Sequence, residues 1–364
     1  MPPRRLLFYV SGHGFGHATR SAALIAALRA RAGRDLTIGV RSEAPHWIFT
    51  ERDPALRCAA AAIDPGVQQP NGLDLDLPRT LAAHEALAAA WNEAVEREAR
   101  AIADFAADLV VGDIPPLAFA AAKRAGAPAV AVANFGWDWI FESYAGAEPR
   151  WRAIAARYRA AYAEAETLFR LPFHGDFPAF SRIVDVPLLV NRSTCTRKAG
   201  RRRLGLPDGD GRRLVLISFG GLGSSPFDAS AGDDLSDFVC VGFGPRPRGF
   251  RADWIELPRP SPIPHEDLMQ ACDAVLGKPG YGIVAEAIAH GTRFLHLPRA
   301  DFREIPVLEA ALAAHACARR LPREDFEAGR WRSALDALFA QPAPATSLAT
   351  DGDAVIADAL LDRL

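Results

Sequence analysis

Short apolar runs alternate with Ala-rich stretches of helical composition through both halves of the chain. Residues 6–10, 36–40, 108–112 and 129–133 are compact and rich in Val, Ile and Leu, as buried strands are. Residues 21–31, 81–106 and 117–125 spread their apolar positions at helical spacing, the second reading as one long Ala- and Glu-rich helix. Strand and helix in strict alternation imply βαβ units and a parallel sheet. After the apolar segment 184–190 the character changes, and residues 191–213, rich in Arg, Gly, Ser and Thr, read as an exposed linker. A second alternation follows, with strands expected at 214–218, 238–242, 274–277 and 293–297 and a helix at 283–289. The expected architecture is therefore α/β, with two Rossmann-like parallel-sheet domains facing a cleft. They run over 1–195 and 214–340, joined by a linker at 196–213 and followed by a helical segment, 341–364, that packs back towards the first domain.

Length agrees with that division, because 364 residues exceed what one core usually supports at about 150–200 residues per domain. With 42 basic against 44 acidic residues the formal charge is −2, which gives no electrostatic footprint for nucleic acid or an anionic membrane. Five widely spaced cysteines, Cys58, Cys195, Cys240, Cys272 and Cys317, form no CxxC pair, so neither a disulfide framework nor a zinc site is expected. The basic start followed by five apolar residues is shorter than a signal peptide's apolar region of roughly 7–15 residues. Nothing approaches the roughly 18 apolar residues of a membrane span, so a cytoplasmic protein is expected.

Chemistry concentrates where strands hand over to helices. Ser11-Gly-His-Gly-Phe-Gly-His-Ala-Thr-Arg20 joins the first strand to the first helix. Gly14 and Gly16 let the backbone turn tightly beside a ligand, and the helix start directs N–H groups to the same point. A third glycine of the dinucleotide fingerprint is replaced by His17, and Arg41 rather than an acid follows the second strand, so NAD fits poorly. His17 at the carboxyl edge of a parallel sheet faces the ligand crevice and suits a general base; a loop-fixing role is the plainer alternative. Asp113 ends another strand of the same edge and could orient that imidazole, or cap a turn before Pro115-Pro116. In the second half, Gly220-Gly221 follow one strand, and Gly277-Lys-Pro-Gly-Tyr-Gly-Ile-Val-Ala-Glu286 joins another to its helix. Gly280, Tyr281 and Gly282 make a cradle for a diphosphate, Lys278 a neutralising cation or a solvated side chain, and Glu286 a partner for a ribose hydroxyl.

Trp137, Asp138, Trp139 and Glu142 follow a strand end and are expected near the cleft, where aromatic faces suit a sugar or apolar acceptor; core packing is the alternative. Asp74-Leu-Asp76 spells a metal-binding DxD, but in a Pro/Asn/Gly loop it reads as coincidence, and no metal is expected. Arg201-Arg-Arg203 with Arg212-Arg213 reads as a solvated linker face.

Phe8-Tyr-Val-Ser-Gly-His-Gly-Phe-Gly-His-Ala-Thr-Arg20, Asp108-Leu-Val-Val-Gly-Asp113, Asn134-Phe-Gly-Trp-Asp-Trp139 and Leu276-Gly-Lys-Pro-Gly-Tyr-Gly282 together resemble the GT-B-type N-terminal half of plant L-arabinokinases and its free-standing bacterial relatives. The resemblance runs from residue 6 to residue 340 and does not extend to the sugar-kinase half of those fusions, so kinase activity is not implied. More distantly, the loop ending in His17 and the helix carrying Glu286 resemble the undecaprenyl-pyrophosphoryl-muramoyl-pentapeptide N-acetylglucosaminyltransferase and the plant secondary-metabolite glycosyltransferases. That likeness implies His17 as base, Asp113 as its partner and Glu286 on the donor ribose. It also shows departures: Lys278-Pro-Gly stands at the diphosphate turn, and Asp301-Phe-Arg-Glu304-Ile-Pro306 replaces the usual Asp-Gln sugar clamp, leaving Glu304 as the donor-side acid.

The resulting expectation is a metal-independent, inverting glycosyltransferase without a cofactor, using a nucleoside-diphosphate sugar, UDP-sugar favoured, and a small-molecule or lipid-linked acceptor. A nucleotide-sugar epimerase or hydrolase, and a catalytically silent nucleotide-sugar sensor, are the alternatives.

Overall fold

The computed structural model describes residues 4–220, 229, 232–299, 301–344 and 347–364. Seven strands form the first sheet: β1 (Arg4–Val10), β2 (Leu36–Arg41), β3 (Arg57–Ala59), β4 (Leu109–Asp113), β5 (Ala129–Ala133), β6 (Thr167–Arg170) and β7 (Ile183–Asp185), in the order β3-β2-β1-β4-β5-β6-β7. Six form the second: β8 (Arg213–Ser218), β9 (Asp234–Gly242), β10 (Arg251–Glu256), β11 (Ala274–Gly277), β12 (Arg293–His296) and β13 (Ala318–Arg320), in the order β10-β9-β8-β11-β12-β13. Every pairing is parallel. Each sheet reverses its winding once, between β1 and β4 and between β8 and β11, and a crevice opens at the carboxyl ends there. The register across these points sets Val10 beside Asp113 and Ser218 beside Gly277.

Burial explains the near-continuous apolar strands, because helices cover both faces of each sheet. Leu7, Tyr9 and Val110 pack on one face of the first sheet and Leu6, Phe8 and Val111 on the other. Val215 and Leu276 against Leu214 and Val275 repeat that arrangement in the second. Tyr281 and Ala285, from the second domain, join the core of the first, so the domains meet through packed side chains at the crevice. There a β-carbon on Gly282 would stand 3.6 Å from the Cα of Gly16.

Two expected elements are corrected. Residues 81–106 form two helices, Leu77–Ala89 and Trp91–Phe105, hinged at Ala90 (φ −92°, ψ 11°), although no Gly or Pro marks the break. The bend lets His84 and Trp91 address the same buried Tyr158, the first by a 2.6 Å hydrogen bond and the second by ring contact at 5.9 Å. The Arg-rich linker contains the helix Arg197–Arg203, seated on the second domain: Gly200 lies against Ala271, and Arg197 and Arg201 both bind Asp273. Arg197 and Arg201 thus tether the linker to the second domain, while Arg202, Arg203 and Arg213 are exposed, as a solvated face requires.

At the carboxyl end, the helix Gly352–Leu361 buries Ile356, Ala357 and Leu360 against the first domain's long helix, Gly16–Ala32, and Arg31 pairs with Asp358. No helix among the described residues is long and apolar enough to cross a membrane.

Candidate active site

The crevice between the sheets is a cleft of about 700 Å³ lined by residues of both domains. On its first-domain wall stands His17, in the first turn of the helix Gly16–Ala32. Its Nδ1 lies 2.9 Å from Oδ1 of Asp113, the last residue of β4. Arg20 Nη2, which only donates, lies at the same 2.9 Å from this Nδ1, and Asp113 Oδ1 only accepts; in the tautomer that gives Nδ1–H to Asp113, Nε2 carries the lone pair. That atom has no hydrogen-bond partner among the described residues, and the ring lines the cleft.

Arg20 is the member of this cluster that sequence reasoning missed. Its Nε donates to Asp113 Oδ2 at 2.8 Å and its Nη2 to Oδ1 at 2.5 Å, a bidentate clasp buried to 3% exposure. Ser21 Oγ adds a bond to Oδ2 at 2.9 Å. Burial alone would raise the Asp113 carboxyl, but the Arg20 guanidinium, with His17 beside it, overrules that and holds it well below the usual carboxylate range. Arg20 also neutralises the charge Asp113 would otherwise present, so the carboxylate orients the imidazole more than it polarises it. A signal was available in the sequence: His17 and Arg20 are three apart at the start of a helix and share a face.

The network crosses the domain boundary. Arg20 Nη1 donates to Asn134 Oδ1 at 2.8 Å, and Asn134 Nδ2 donates to Glu304 Oε1 at 2.6 Å. Glu304 therefore lines the cleft with one oxygen already engaged by the first domain; burial pushes its carboxyl up from the ordinary range. Tyr281 lies under the Arg20 guanidinium, 5.3 Å from ring centroid to Cζ.

On the second-domain wall, Gly280 precedes the helix Tyr281–His290, whose free N–H groups point at the cleft. A β-carbon on Gly277 would meet the Ser218 carbonyl oxygen at 2.0 Å, so only glycine lets β11 run this close to β8 at the sheet's edge. Glu286 is not free: its Oε2 lies 2.5 Å from His265 Nδ1, and His265 Nε2 is 2.9 Å from Ser218 Oγ. Burial opposes a charge on His265, yet the Glu286 carboxylate raises its pKa above the ordinary value. Lys278 is not solvated; it donates to Gln69 Oε1 at 3.2 Å, and burial, then the neighbouring Arg299, bring its pKa down to about 7. Gly14, Gly16 and Gly220 line the cleft, the first and last in left-handed backbone (φ 69° each), while Gly221 lies outside the described residues.

The expected acceptor pocket is corrected, since none of Trp137, Asp138, Trp139 and Glu142 lines the cleft. Trp137 is fully buried, stacked on Phe141 and donating from its indole to Asp64 at 2.5 Å. Trp139 packs under the Arg303 guanidinium, and Asp138 and Glu142 both pair with Arg159. The helix Trp137–Glu142 turns Trp137, Asp138 and Trp139 into the core and leaves Glu142 on the surface. Asp74 pairs with Arg323 and Asp76 caps the helix Leu77–Ala89, so the DxD is structural. Among the described residues no cluster of three metal-ligating side chains forms.

The family described as "Glycosyl transferase family 1" matches residues 4–140. Solved structures similar over the whole chain include the glycotransferase of kitacinnamycin (TM-score 0.66, 17% identity, all of both chains), Phytolacca americana UGT2 complexed with UDP-2fluoro-glucose and pterostilbene (0.59, 14%, 99% of this chain and 93% of that one), and Acinetobacter baumannii MurG (0.55, 14%, 99% and 100%). The fold is GT-B, and residues 4–140 are similar to the family 1 glycosyl transferases. The chain is 33% identical over 334 residues to the L-arabinokinase of Arabidopsis thaliana, a match that takes in 90% of this chain. It spans about a third (31%) of that relative's length.

Proposed function

We propose that this chain transfers a sugar from a nucleoside-diphosphate sugar, a UDP-sugar in the first instance, to an acceptor hydroxyl, with inversion and without a divalent ion. One observation carries the reading: His17, its Nδ1 held by Asp113 at 2.9 Å, faces across the cleft to the amino end of the helix Tyr281–His290. In the proposed reaction His17 Nε2 takes the acceptor's proton as its oxygen attacks the anomeric carbon. The bond from that carbon to the diphosphate oxygen breaks, and its electrons leave with the diphosphate. Helix N–H groups at Gly280 to Gly282 oppose the developing negative charge, the function a metal serves elsewhere. The His265–Glu286 pair, deeper on the same wall, suits the donor ribose through the carboxylate oxygen that His265 does not hold.

The kinase activity in the Arabidopsis thaliana relative's name is not carried over, because this chain spans 31% of the relative's length. The deciding experiment is a thermal-shift screen against nucleoside diphosphates and their sugar conjugates, followed by product analysis with radiolabelled donor. Donor turnover without any acceptor, giving an epimerised sugar, would make the chain an epimerase. Binding with no turnover under any acceptor would make it a sensor.

A further inference from the structure

Beside His17 in the cleft, three donor side chains from three different segments come together, and two of them, Arg299 and Gln69, hold N–H groups without a partner. Arg299, after β12, is nine-tenths buried, and its Nε and Nη2 have no hydrogen-bond partner. Its side chain lies over the Phe302 ring at 4.6 Å and forms no ion pair among the described residues; the nearest acid, Glu304, is bonded to Asn134. Lys278, just after β11, holds Gln69 by its oxygen, and the Gln69 amide nitrogen is left buried and also unpartnered. His13 stands beside them and accepts from the Val67 N–H; burial, then Arg299, His17 and Lys278, keep its pKa well below the ordinary value, so it adds no charge.

A guanidinium removed from water without a counter-charge is costly, and it persists where a ligand supplies the missing anion. A neutral sugar brings no such group. The nucleotide's diphosphate has its own donors, the N–H groups that open the helix Tyr281–His290. Resting on the nucleotide-sugar reading above, we propose that Arg299, Lys278 and Gln69 form a carboxylate subsite, and that the cleft is built for an acidic sugar, a uronic acid carried on the donor or presented as acceptor. A carboxylate accepts two parallel bonds from Arg299 and a third from Gln69, while Lys278 supplies the second positive charge.

The test is titration calorimetry of the full chain with UDP, UDP-glucose, UDP-glucuronate, and free glucuronate added to the UDP complex, repeated with Arg299→Gln and Arg299→Lys. Wild type should bind UDP-glucuronate at least about ten-fold tighter than UDP-glucose if the donor brings the carboxylate, or bind free glucuronate on top of UDP if the acceptor does. Arg299→Gln should abolish whichever preference appears and leave UDP affinity unchanged, and Arg299→Lys should restore part of it. The melting temperature of Arg299→Gln without ligand should not fall, since an unpaired buried cation is being removed. A preference for neither acidic probe overturns the subsite. So does an equal loss of UDP affinity in Arg299→Gln, which makes Arg299 a diphosphate ligand, or a lowered melting temperature, which makes it structural. Tight UDP and UDP-glucose binding with no acidic preference defeats this inference alone, whereas failure of all the UDP compounds overturns the nucleotide-sugar reading with it.

Discussion

His17 and Asp113 stand where two strand ends meet, but the atoms around them change what each substitution measures. Replacing His17 by Ala should lower kcat by about two to four powers of ten, the usual worth of a general base, with donor affinity nearly constant in calorimetry. Full turnover in that variant would remove His17 from the mechanism. Asp113→Asn is a less simple probe than its position suggests, because it strands the buried Arg20 guanidinium that Asp113 clasps. Breaking one side of such a pair costs about 3–5 kcal/mol, so Asp113→Asn should shift the urea midpoint strongly, and adding Arg20→Met should recover part of the loss. Equal stability of Asp113→Asn and wild type would show that the clasp is not formed in solution.

Helices decide where each functional group points. The helix Gly16–Ala32 aims His17 and Arg20 at β4 with one face and receives the helix Gly352–Leu361 on another. That carboxyl-terminal helix buries Leu360 completely, and Leu360→Ala should cost about 2–5 kcal/mol in a denaturation curve while leaving kcat close to wild type. A collapse of activity at unchanged stability would mean that this contact positions the catalytic helix. On the opposite wall, the helix Tyr281–His290 carries Glu286 against His265. Glu286→Gln keeps the shape but removes the charge that raises His265, and donor affinity should fall roughly ten- to a hundred-fold in calorimetry. Unchanged affinity would reduce Glu286 to a packing partner of His265. The run 137–142 shows the converse: aromatic residues follow a strand end as ligand-binding residues do, yet their helix turns inward, and Trp137 finds Asp64 and Phe141 rather than the cleft.

The two domains together set the electrostatics of the cleft. Lys278, brought down to about 7 by burial and by Arg299, faces Arg299, Glu304, Gln69 and the neutral His13. Below that value it is protonated and favours an anionic ligand; above it the charge is lost. Affinity for a nucleoside-diphosphate sugar should therefore fall as pH rises from 6 towards 8, and Lys278→Met should flatten that dependence in parallel titrations. A profile identical in both proteins would assign the dependence to another group. With the diphosphate opposed by helix N–H groups, a chelator should leave turnover intact; strict dependence on magnesium or manganese would remove that basis for leaving-group stabilisation.

Periodicity alone determined the two parallel sheets, because strands covered by helices on both faces must be apolar at every position, and that pattern is written locally. Strand ends marked by Gly, His and Asp located His17, Asp113 and the cradle at Gly280 to Gly282, since a doubly wound sheet brings all its carboxyl ends to one edge. Ala90 was illegible because its bend answers to Tyr158, a residue far along the chain. For the same reason the network of Arg20, Asn134 and Glu304 was legible only in part: spacing puts Arg20 on the face of His17 and the run 301–306 offers Glu304, but each is bonded to a partner 93 to 170 residues away. Only the tertiary structure decided that Arg299 and Gln69 lie buried beside Lys278 with donors unspent, because desolvation and missing partners are properties of a packed cleft and leave no mark on spacing or composition.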